Sequence, residues 1–179
     1  MDYKELSQKA HENAVGHGFW ENDWSNEHCL MLIIGEVSEM VEAHRKGLRA
    51  NVEDFKEIPN RQLAFEKFIK NTMEDEMADV VIRLCDLAGA RDIDFNNEFK
   101  IYQLKYYKEF SFVEKSFILT KFLCNIYVPF DFKIKSALRY MEDLAHDLNV
   151  DLDFFVTQKM EYNTWRPYRH GKWKEVLNL

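Results

Sequence analysis

The sequence predicts an all-α fold, a helical bundle, on three observations. Only six glycines and three prolines occur in 179 residues, far fewer breaks than a turn-rich β fold requires. Apolar residues recur at i, i+3 or i+4 along most of the chain, the period of a helix with one buried face. No alternation of period two persists, so no strand is expected. With 46% hydrophobic residues, among them fourteen Phe, eight Tyr and four Trp, the chain can fill the core of one domain covering residues 1–179.

The elements follow in order. A first helix is expected over about residues 2–15, with Leu6, Ala10 and Ala14 on one face. The stretch "GHGFWENDWSN" breaks the pattern with two glycines. Ser25 and Asn26 suit the N-cap of a second helix running to about residue 46, and Gly47 suits its C-cap. "LRANVEDFKEIPN" reads as a connection closed by Pro59. A long third helix covers about 61–90, and Asn71 and Thr72 mark the place where it could break. Further helices are expected over about 95–109, 112–127, 132–148 and 152–164, with Asp94 and Asp151 as N-caps for two of them. The tail from Trp165 reads as irregular, closing on a short helical turn.

Charge and cysteine usage limit the function classes. A formal net charge of −7 argues against a general nucleic-acid binder and for acids that hold cations. Cys29, Cys85 and Cys124 form no close pair and each sits in an apolar helical context, which predicts buried thiols in a reducing cytoplasm. The N-terminus is polar, without an apolar signal core, and no apolar run has the length to span a membrane. A cytoplasmic protein without a membrane partner is the expectation.

One internal similarity stands out. "DLAGARDIDF" from Asp86 and "DLAHDLNVDL" from Asp143 match at four positions with an offset of 57 residues. At that offset Glu76 falls on Lys133 and Asp79 on Ser136, so a repeated helix would have the scaffold without the acids. Two ordinary helix ends that look alike explain the matches equally well.

The chemistry concentrates in carboxylates. Glu36 and Glu39 stand three apart on the second helix, and Glu76 and Asp79 three apart on the third. Such pairs share a helix face. If the two helices pack antiparallel, four carboxylates converge, at a cost of several kcal/mol unless something neutralises them. A hard divalent cation does so, and all-oxygen ligation suits Mg²⁺, or Mn²⁺, rather than Zn²⁺. The flanking Val37, Met40, Ala78, Val80, Val81 and Ile82 read as core positions. Glu42, Glu74 and Asp75 read instead as acids on solvated faces. Spacing alone leaves solvated faces open for the two pairs as well.

"LMLIIGEVSEMVEAHRKG" followed by "EDEMADVVIRLCDLA" resembles the MazG-like superfamily, the all-α nucleoside triphosphate pyrophosphohydrolases. Their signature is E-x-x-E on one helix and E-x-x-D on the next, here Glu36, Glu39, Glu76 and Asp79. "GFW" before the second helix and "KMEYNTWRPYRHGK" near the C-terminus extend the likeness. Two departures stand beside it: thirty-six residues lie between Glu39 and Glu76, more than in compact members, and about 93–150 reads as inserted helices.

The resemblance implies a nucleoside triphosphate substrate, cleaved between the α and β phosphates to a monophosphate and pyrophosphate. It implies Mg²⁺ on the four carboxylates, with one glutamate activating water, and a homo-oligomer, a dimer or tetramer. Lys159, Arg166 and Arg169, in a basic stretch, are candidates to approach the triphosphate, and a solvated basic tail is the alternative. Asn163 shares the helix face of Lys159 and could bond to base or sugar. Trp20 stands where related enzymes present an aromatic to the nucleobase, although packing would also explain it. His11 and His170 are weaker pocket candidates by the same resemblance. Arg83 falls where relatives can place an aromatic near the base, which counts against base recognition by that face. A ferritin-like di-iron centre would need Glu-x-x-His pairs, and the chain has none. A helical interaction protein without catalysis is the remaining alternative.

Overall fold

Eight helices and no strand make up the described residues, 1–96 and 109–168, of a computed structural model. They are α1 (Tyr3–Gly16), α2 (Asn26–Arg45), α3 (Val52–Glu57), α4 (Arg61–Phe68), α5 (Met73–Ala90), α6 (Phe112–Leu123), α7 (Phe130–Asp147) and α8 (Leu152–Thr164). The expected helix over 95–109 and the tail beyond residue 168 lie wholly or mainly outside the described residues, as do Arg169 and His170.

Local chemistry sets the boundaries. Ser25 caps α2 by accepting from the His28 amide, and Asp151 caps α8 by accepting from the Phe154 amide. Gly47 takes a positive φ of 69° just past α2, a conformation glycine adopts without strain. The break between α4 and α5 is present. Asn71 turns to φ 61°, and the Thr72 side chain then accepts from the Asp75 amide to start α5. The connection before Pro59 contains a short helix, α3, that the sequence reading lacks. Asn51 caps α3, and its single buried side chain, Phe55, lies under the Arg61 guanidinium at 5.1 Å.

α5 is the central element. Val80, Val81, Leu84 and Met77 on it are fully buried, and α1, α2, α7 and α8 pack around it. α2 runs antiparallel to it: Leu48 just past α2 accepts from the Met73 amide, Glu36 meets Arg83, and Asn26 meets Arg91. α1 is antiparallel to α5 too, and very close. A Cβ at Gly89 would lie 2.6 Å from the Ser7 carbonyl oxygen and 2.8 Å from His11 Cβ, so glycine is required there. Phe65 of α4 stacks on Tyr162 of α8 at 4.4 Å, which seats α8 beside the start of α5. Val37, Met40, Ala78, Val80, Val81 and Ile82 are all buried, as their positions beside the acids predict.

α6 and α7 pair antiparallel, with Lys115 bonded to Asp147 at 2.8 Å and Phe122 facing Phe132. No helix among the described residues is long and apolar enough to cross a membrane. All three cysteines are free. Cys29 and Cys85 are buried as expected, but Cys124 is exposed, because α6 ends there and it serves as the C-cap.

Candidate metal and nucleotide site

Beyond the acids Glu74 and Asp75 of its first turn, α5 carries one polar stripe: Glu76, Asp79, Arg83 and Asp86, spaced i, i+3, i+7 and i+10. All four line a cavity of about 460 Å³. The antiparallel α2 presents Glu36 to this stripe. Glu36, Glu76 and Asp79 each offer a carboxylate oxygen, and these oxygens lie within 4.8 Å of one another. Glu39 also lines the cavity but is exposed and stands outside that trio.

The charges have partners at hand. Arg83 Nε donates to Glu36 at 2.6 Å, and Lys159 Nζ donates to Asp79 at 2.6 Å and to Asp75 at 2.7 Å. Burial pushes the Glu76 carboxyl up from its ordinary 4.5 to about 8, and the charges of Asp75 and Asp79 add to the shift. Glu36 is raised as well, by burial above all, with Arg83 opposing. Burial by itself would lower the Lys159 ammonium, but Asp79 and Asp75 outweigh it and hold the group raised and charged. The trio is therefore short of positive charge at Glu76.

Two acids read as solvated are in fact buried. Asp75 is 1% exposed and accepts from the Asn71 amide as well as from Lys159. Glu74, also buried, accepts from Arg49 Nε at 2.5 Å and from the Ala50 amide at 3.0 Å. The physical reason is that the start of α5 has no solvated face. The connection from α2 covers one side of it and α8 the other. Acids in a helix's first turn also meet the positive end of its dipole. Glu42 does face outward, paired with Arg45 and Lys46.

The candidate substrate contacts divide. Lys159, Asn163 and Arg166 line the acidic end of the cavity, with Lys159 and Asn163 buried. Lys159 reaches the acids rather than open cavity. Trp20 lines the other end together with Trp24, Leu32, Ile82 and Leu87. Its indole Nε1 donates to Asp86 Oδ1 at 2.8 Å, and the Arg91 guanidinium lies 5.6 Å from its ring centre. His11 does not line this cavity; its Nδ1 lies 2.9 Å from the same Asp86 oxygen. Burial raises the Asp86 carboxyl, and the bonds from His11 and Trp20 oppose the rise.

Sequence reasoning missed Asp86 as a site residue and the pairing of Arg83 with Glu36. The signal for both was present, since Arg83 and Asp86 continue the helical stripe that begins at Glu76 and Asp79. No protein-family model matches the chain, nor does any curated protein or solved structure.

Proposed function

We propose that this protein is a Mg²⁺-dependent nucleoside triphosphate pyrophosphohydrolase of the MazG-like type, cleaving the α–β bond to give a monophosphate and pyrophosphate. The observation that carries the proposal is the trio of Glu36, Glu76 and Asp79 at one end of a cavity whose other end is aromatic. Three oxygen donors and no sulfur or imidazole fit a hard cation, Mg²⁺ or Mn²⁺. Bound there, the ion would neutralise phosphate charge and lower the pKa of water.

The chain's own residues supply the rest. Glu36, Glu76 and Asp79 would hold the ion. Glu39, on the cavity wall outside the trio, would orient a water or take its proton. Arg83 and Lys159 balance the acids before loading, and with Arg166 they can turn their positive charge toward phosphate oxygens. The aromatic end, with Trp20 and Trp24, takes the base. A cytoplasmic homo-oligomer, dimer or tetramer, completes the proposal, consistent with three free thiols.

A specific observation favours a second reading. Arg83 and Lys159 already pair with two members of the trio, as in a charge network that serves only packing, in a binding module without catalysis. Pyrophosphate release from a panel of triphosphates with and without Mg²⁺ separates the two. The enzyme reading expects Mg²⁺-dependent release. It also expects a loss of at least about 100-fold in Glu36→Gln, Glu39→Gln or Glu76→Gln with helicity intact, since even outer partners of metal ligands cost 10–100-fold. No release from any nucleotide would favour the packing network, and full activity in Glu76→Gln would remove Glu76 from the metal site.

A further inference from the structure

We propose that Asp86 reads the nucleobase and selects amino-bearing bases (adenine, cytosine, guanine) over uracil and thymine. The inference rests on the pyrophosphohydrolase reading for where the phosphates lie, and on the structure around Asp86 for the rest. Asp86 follows Asp79 by seven residues on the same face of α5, two turns or about 10 Å along the axis. That is the scale of the distance from a reacting phosphate, across the sugar, to the far edge of a base. Around Asp86 the cavity wall turns apolar and aromatic, with Trp20, Ile82 and Leu87.

The hydrogen bonding of Asp86 is one-sided. Trp20 Nε1 and His11 Nδ1 both meet Oδ1, at 2.8 and 2.9 Å. An indole N–H can only donate, so Oδ1 is an acceptor, and beside it the His11 proton belongs on Nδ1. Two donors fill the lone pairs of Oδ1, and neither engages Oδ2. The nearby guanidinium groups are committed elsewhere: Arg83 to Glu36, and Arg91 to Asn26 and the Trp24 carbonyl. The Asp86 side chain keeps 21% of its surface exposed on a residue that lines the cavity. On this proposal Oδ2 is the acceptor that the wall offers a ligand.

An acceptor-only group at this point discriminates by chemistry. The exocyclic amino groups of adenine, cytosine and guanine donate to it. Uracil and thymine present carbonyl oxygens there, and their single ring N–H lies between two of them, so a carboxylate repels that edge. The same geometry predicts what an amide would do. In Asp86→Asn the amide oxygen must stay with Trp20 and His11, because both donate. The NH₂ group then replaces Oδ2 and turns an acceptor into a donor.

The test is equilibrium binding of non-hydrolysable α,β-imido analogues of dATP, dCTP, dGTP, dUTP and dTTP to the full chain with Mg²⁺. The wild type is expected to bind the amino-bearing set about tenfold or more tighter than the dUTP and dTTP analogues. D86N is expected to reverse that order, with a gain for dUTP that no loss of folding could mimic. The wild-type profile needs no variant, so it decides the matter even if D86N fails to fold. A profile that is flat or favours uracil in the wild type, or a ratio that D86N leaves unchanged, overturns this inference alone. Failure of all five analogues to bind overturns the pyrophosphohydrolase reading and the inference with it.

Discussion

α5 and α7 share three hydrogen bonds at their ends, at an offset of 57. Ile93 N–H bonds to the Ala88 carbonyl at 3.0 Å, and Val150 N–H to the Ala145 carbonyl at 2.9 Å. Asp92 and Asn149 both take a left-handed φ, 50° and 54°, which short polar side chains tolerate. One turn into each helix the likeness stops. Where α5 has Glu76 and Asp79, α7 has Lys133 and Ser136, and the buried Ser136 hydroxyl has no partner. The stop signal is local chemistry and recurs wherever its residues recur. A buried acid depends instead on groups from elsewhere in the chain. Lys159 comes from α8, and Arg49, Ala50 and Asn71 come from the connections before and after α3 and α4. A shared helical frame does not make a charged site; the surrounding elements do.

The contrast breaks most visibly if those outside partners are removed. Lys159→Met leaves Asp75 buried without a counter-charge, which should cost about 3–5 kcal/mol and lower Tm by on the order of 10 °C. Unchanged Tm would mean that α5 carries its acids unaided. A smaller effect is expected from pH. The folded-state pKa of Glu76, about 8, lies above its ordinary 4.5, so the folded state holds this proton more tightly than the unfolded one. Its contribution to stability is complete below about pH 4.5 and is lost as pH rises through about 8. The metal-free protein should therefore lose on the order of 1–3 kcal/mol over that window, and Glu76→Gln should remove the slope. Denaturant titrations at several pH values measure both, and a wild-type slope shared by Glu76→Gln would assign the effect elsewhere. The smallest effect belongs to α7. Ser136→Ala removes a buried hydroxyl without a partner and should stabilise the protein by about 1 kcal/mol. Destabilisation would show that the hydroxyl does make a bond.

Much of this was legible in the sequence, for reasons that can be named. The caps at Ser25 and Asp151 and the break at Asn71-Thr72 depend on a few adjacent residues, and they fall where their chemistry places them. The two acidic pairs were legible because helical spacing fixes which side chains share a face. Their convergence also needed α2 and α5 to be antiparallel, and three of the four acids meet. Glu39, one turn from Glu36, faces out to the cavity wall instead. The burial of Glu74 and Asp75 was not legible, since it depends on α8 and on the connection from α2 closing over the first turn of α5. The role of Asp86 was hidden for a related reason. Its partners, His11 and Trp20, are more than sixty residues away in the chain, and no local pattern joins them.

The proposed metal centre would consist of Glu36, Glu76 and Asp79, with Arg83 and Lys159 balancing these acids only while no ion is bound. Titration of Mn²⁺ into the full-length protein, followed by the loss of the free-ion paramagnetic resonance signal, tests it without relying on turnover. The expected result is saturable binding by the wild type that Mg²⁺ displaces, with Glu76→Gln and Asp79→Asn each losing it while remaining folded. Binding that persists unchanged in both variants, or a wild type that takes up no ion even with a non-hydrolysable triphosphate present, would contradict the account.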